Sequence, residues 1–176
     1  MAIDTLKRLL SFVLLCLTQV LVLNRIHLFG YATPLLYVYF VLLFPRRYPK
    51  WALLLWCFAL GLVNDTFSNT PGVACASLTL LGAIQPYFLE LFVPRDAVEA
   101  FSPSLPSLNY GKFLLYSLSL VFFYCLVFFA IEAFTFFNWE QWLICSSAST
   151  LLTVILIMTL EGFKTSKQTD ASAAGK

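Results

Sequence analysis

Charge is what this sequence has least of. Asp, Glu, Lys and Arg make up 11% of its 176 residues, where a globular domain carries about 25%. That shortage excludes an ordinary soluble domain. It also excludes a nucleic-acid surface, since neither a basic stripe nor an aromatic–basic interleaving occurs. Histidine occurs once, as His27 in a short loop. A nucleophile–imidazole pair and a His-x-x-x-His metal spacing are therefore both missing. The five cysteines, Cys16, Cys57, Cys75, Cys125 and Cys145, sit singly inside apolar runs with no Cys-x-x-Cys pair. They read as small packing residues and support neither a disulfide framework nor a zinc site. No phosphate loop or dinucleotide fingerprint is present. These absences predict a protein that is not an enzyme and holds no cofactor and no metal.

What the chain has in abundance is apolar length. Hydrophobic residues make up 60% of it, and its mean hydropathy is +0.84. The apolar runs recur from Leu9 to Leu160, which rules out a single signal peptide as their source. A run of about 18 or more apolar residues reads as a membrane span. The expected fold is an all-α membrane protein, a bundle of six transmembrane helices at about 9–23, 32–44, 51–67, 73–92, 113–137 and 142–160. The second run is short. At about 1.5 Å per residue it barely crosses a hydrocarbon core of about 30 Å, so a re-entrant or broken helix is the alternative there. Residues 161–176 read as a polar, disordered cytoplasmic tail.

The basic residues fix an orientation. With six spans and a cytoplasmic N-terminus, the inner segments hold Lys7 and Arg8, then Arg46, Arg47 and Lys50, then Arg95 and Lys112, then Lys164, Lys167 and Lys176. Only Arg25 falls outside, so the positive-inside rule holds at every loop. Trp51, Trp139 and Trp142 mark the ends of apolar runs, where interfacial aromatics belong.

Asp65 is the main anomaly, an acid inside the third span. Gly61, Asn64, Asp65 and Ser68 fall on one helical face and should point into the bundle, with Leu60, Val63 and Phe67 largely off it. A second stripe, Gly72, Ala76, Thr79, Ala83, Pro86 and Glu90, is expected to let the fourth helix approach the third closely. The turn Ser68–Gly72 between them predicts a tight hairpin in which Asp65 accepts hydrogen bonds from free backbone donors at the start of the fourth helix. As a hairpin pin, Asp65 should nearly tolerate asparagine. Glu132 lies late in the fifth span and is expected at the outer rim near Asn24, Arg25 or His27; Glu90 and Glu161 are expected at the inner interface. Gln19 reads as a helix–helix hydrogen bond, and Ser146, Ser149, Thr150 and Thr153 as packing. Gly61, Asn64, Asp65, Gly72, Ala76 and Glu132 are thus candidates for structural or partner-contact roles.

The segment Gly61-Leu62-Val63-Asn64-Asp65 followed by Gly72, between the third and fourth spans of a chain this size, resembles the rod shape-determining MreD family. The opening Gly72 to Ala76 of the fourth helix, the stretch Pro94–Phe101 and the run Phe128–Phe134 look like its Bacteroides-type branch. The likeness covers about residues 5–160. It implies a non-enzymatic inner-membrane subunit of the cell-elongation machinery. The implied partners are an MreC-like membrane protein and, through it, an MreB-like actin homologue, near the peptidoglycan glycosyltransferase and transpeptidase pair. It also implies a fold like the substrate-binding subunits of energy-coupling-factor vitamin transporters, with the family's glycine and aspartate positions carried by Gly61, Asp65 and Gly72. Such a transporter subunit is the alternative function. Those subunits dock their coupling partner through alanines on the first helix, and the first span here has none between Leu9 and Leu23.

Overall fold

Proline and hydroxyl chemistry decide where this chain is helical and where it is not. The computed structural model describes residues 2–21, 33–46, 48–93, 103, 109–133 and 139–174. These form α1 (Ala2–Leu21), α2 (Val38–Leu42), α3 (Lys50–Ser68), α4 (Val73–Phe92), α5 (Tyr110–Ala133) and α6 (Trp139–Ala174), with no strand among the described residues. α3, α4, Tyr110–Glu132 of α5 and Trp142–Thr165 of α6 are each long and apolar enough to cross a membrane; α1 adds a shorter apolar stretch, Arg8–Leu21. The architecture is an all-helical bundle with several long apolar helices, the makeup of a multi-pass membrane protein. Its surface agrees: Leu10, Leu55, Leu91 and Ile155 are all more than half exposed, a coat suited to lipid rather than water.

α3 packs along α4, α4 along α5, and α5 along α6; α1 lies against α2 and α3. α2 sits among α1, α4 and α5 with all five of its residues buried. It is far shorter than the run expected over 32–44. Pro34 has no backbone N–H and biases Thr33 away from the helical region. The chain therefore enters through non-helical backbone at 33–35 and a turn at Leu36 and Tyr37 before helix begins. At the other end α2 gives way to a turn, and Pro45 follows. Phe12, Phe40 and Trp56 meet edge-on or tilted beside it, tying α1, α2 and α3 together.

The bounds of α3 and α4 match expectation to within a residue. α6 does not: the helix continues through the supposed tail to Ala174. Residues 134–138, including the end of the expected fifth span, lie outside the described residues, as do Asn24, Arg25 and His27.

Candidate functional site

Two polar assemblies lie within this apolar bundle. The first is the hairpin of α3 and α4. α3 ends at Asn69, whose φ of 56° and ψ of 33° place it in the left-handed region, with its N–H donating to the Asp65 carbonyl. Thr70 N–H donates to the same carbonyl at 3.3 Å. Gly72 then takes φ 87°, a turn that glycine adopts without strain. Gly72 has no side chain to cap α4, and the free N–H groups of a helix start need acceptors. Asp65 supplies them from the neighbouring helix. Its Oδ1 accepts from Ala74 N–H at 2.9 Å and from the Thr70 hydroxyl at 3.1 Å, and its Oδ2 accepts from Cys75 N–H at 2.8 Å. The carboxylate also sits at the positive end of the α4 dipole.

Gly61, one turn before Asp65, makes this reach possible. A Cβ at Gly61 would lie 2.7 Å from the Cys75 backbone nitrogen and 2.9 Å from the Ala74 carbonyl oxygen, so α4 could not approach. Lower down, Gly82 gives the same room to the Cys57 side chain. The α4 positions that meet α3 closely are thus Ala74 and Cys75 against Gly61 and Gly82 against Cys57. This corrects the expected stripe in part: Gly72, Ala76, Ala83 and Glu90 are exposed, while Thr79 and Pro86 are half-buried. On α3, Gly61, Asn64 and Asp65 are buried as expected, but so is Leu60.

The bidentate geometry argues against the expected tolerance of asparagine at position 65. An amide has one acceptor oxygen, and its NH2 group would confront one of the two α4 N–H donors. Beside Asp65 a cleft of about 390 Å³ opens, lined by Leu62, Thr66, Asn69, Gly72 and Cys75. Asn64 is buried, and its Oδ1 has no hydrogen-bond partner among the described residues. Glu132 is exposed near the end of α5; the residues expected to face it are outside the described ones.

The second assembly holds the non-helical backbone before α2. Such backbone survives in a bilayer only where protein satisfies its polar groups. Gln19 of α1 does so twice, its amide donating to the Pro34 carbonyl at 2.9 Å and its oxygen accepting from Leu36 N–H at 3.0 Å. From α6, the Ser149 hydroxyl accepts from Thr33 N–H and the Thr153 hydroxyl from Leu35 N–H, each at 3.1 Å. Gln19 is thus a backbone clamp rather than a helix–helix contact, and Ser149 and Thr153 are more than packing. Gln85 of α4 reaches the Phe44 carbonyl at 3.3 Å and the Tyr116 hydroxyl at 3.1 Å, closing the far end of the segment. It is buried and strongly polar in an apolar span, a signal already legible in the sequence. Glu161, expected at the interface, is buried; it accepts from the Tyr39 hydroxyl of α2 and pairs with Lys164 at 3.3 Å.

Chemically, both assemblies hold backbone. All five cysteines are free thiols, and no group of three metal-ligating side chains occurs among the described residues. The chain matches no family model, no curated protein and no solved structure.

Proposed function

We propose that the chain is a non-enzymatic subunit of the bacterial cell-elongation, or rod-shape, machinery. In this reading it lies in the inner membrane as six spans with both termini cytoplasmic, in a bundle like that of the vitamin-transporter binding subunits. It supports peptidoglycan synthesis by contact with an MreC-like membrane protein. Through that protein it communicates with an MreB-like actin homologue and with the glycosyltransferase and transpeptidase pair. The motif resemblance at Gly61, Asp65 and Gly72 supplies the family. The geometric observation that carries the non-enzymatic part is the use of Asp65: both carboxylate oxygens receive donors from the chain's own backbone. Three donors from the chain itself make holding the hairpin the main use of this acid, and Oδ2, which accepts one bond, keeps a second acceptor site beside the cleft that Asp65 helps to line.

The test is purification of the tagged protein from its own membranes. Recovery of an MreC-like protein with other cell-wall elongation proteins is the expected result. The cleft of about 390 Å³ beside Asp65 is within the size range of small-molecule sites, and it favours the transporter subunit as a second reading. A stoichiometric small molecule retained after purification, without elongation proteins, would establish that reading in place of the first.

A further inference from the structure

At the opposite end of the bundle from Asp65, one cation is placed unlike its neighbours. Arg46 lies 4.0 Å from Glu90, Lys164 pairs with Glu161, and Lys50 sits 4.8 Å above the Tyr87 ring. Arg8, near the start of α1, has no such acid among the described residues. Its guanidinium stacks on two rings, with Cζ 5.2 Å from the Phe44 centroid and 4.3 Å from that of Tyr48. The two rings, whose centroids are 4.8 Å apart, lie on one side of the guanidinium and leave its other side and its N–H edge for a further partner. Nη1 is buried and has no hydrogen-bond partner among the described residues. Arg8 also lines a cavity of about 110 Å³ with Ser11, Phe40, Leu43 and Phe44. A buried charged donor without an acceptor is costly, and the matching acceptor for a guanidinium edge is a carboxylate or a phosphate.

We propose that this cavity between α1 and the end of α2 binds the phosphate of an anionic glycerophospholipid. The surroundings select a lipid over a free anion. Leu14, one turn beyond Ser11, and Leu21 continue the same edge of α1 and are 61% and 67% exposed. Acyl chains lying on that edge bring a phosphodiester to the level of Arg8. Arg46 and Lys50 on the same rim favour an anionic headgroup over a zwitterionic one. The site requires a bilayer around the bundle and is independent of the proposed cellular role.

The experiment is native mass spectrometry of the full chain in neutral detergent, titrated with phosphatidylglycerol, with diacylglycerol of the same chains, and with inorganic phosphate. The wild type should hold one phosphatidylglycerol at concentrations where diacylglycerol gives no adduct. Arg8→Gln should weaken that adduct about tenfold or more, since the charge-assisted bond and the stacked geometry are both lost. Ser11→Trp, an exposed position whose new ring fills the cavity while Arg8 stays, should weaken it similarly and decides the matter if Arg8→Gln does not fold. Lys112→Gln, exposed near the start of α5 and outside the proposed site, should leave the adduct in place. Undiminished phosphatidylglycerol binding by Ser11→Trp overturns the proposal, as does equal binding of diacylglycerol. Arg8-dependent binding of inorganic phosphate that displaces the lipid would reassign the site to a free anion and overturn it too.

Discussion

A carboxylate in hydrocarbon costs about 2.5–3.5 kcal/mol by insertion scales, and Asp65 meets that cost with three donors and a helix dipole. Each backbone N–H left without an acceptor in a buried site costs about 1–3 kcal/mol. Asp65→Asn should therefore lose about that much, because one α4 donor is orphaned, and Asp65→Leu should lose more, because both are. Thermal unfolding of the purified variants in detergent checks the order. Gly61→Ala drives a methyl into the Cys75 backbone and should cost about 1–3 kcal/mol as overpacking. Gly72→Ala has open space around it but the wrong φ, and should cost about 1–2 kcal/mol through backbone strain alone. A Gly72→Ala effect much larger than that of Gly61→Ala would contradict the close-approach account. The acid and its face were legible because an ionised group in an apolar run has few tolerable directions. The two-oxygen geometry was not, because sequence spacing places a side chain on a face without saying which donors it meets.

At the scale of elements, the segment around α2 is a short helix suspended by side chains from three others. Gln19→Leu removes an acceptor from Leu36 N–H and a donor from the Pro34 carbonyl at once, and should destabilise by about 1–3 kcal/mol for each group left unpaired. Ser149→Ala and Thr153→Val each remove one acceptor and should each cost less than Gln19→Leu. The same unfolding assay compares them. Equal stability of wild type and Gln19→Leu would show that the clamp contributes nothing. Pro34 and the shortness of the run already marked this span as breakable. The partners were hidden, because Ser149 and Thr153 lie 116 and 118 residues from the donors they receive and their helical spacing reads equally well as packing. The stripe of Ala76 and Ala83 misled for a related reason. On a helix apolar all round, small residues at three- and four-residue steps mark a face without identifying which neighbour it meets.

At the scale of the whole molecule, the contacts gather Arg8, Arg46 and Lys50 at one end of the bundle and the Asp65 hairpin at the other. Reporter fusions after Arg46 and after α6 should read cytoplasmic, and one at Thr70 periplasmic; any other pattern contradicts the six-span topology. The orientation is an expectation drawn from the positions of the basic residues, and these fusions test it. The helical extension to Ala174 was not legible in the sequence, since a polar segment's conformation beyond the last span has no membrane to dictate it. The central claim is that Asp65 shapes the hairpin offered to an MreC-like partner. Its most direct test is co-purification of that partner with wild type, Asp65→Asn and Asp65→Leu from membranes carrying matched levels of each. The account predicts that recovery falls in step with hairpin stability, from wild type through asparagine to leucine. Equal recovery with all three forms, or loss with asparagine at undiminished stability, would contradict it.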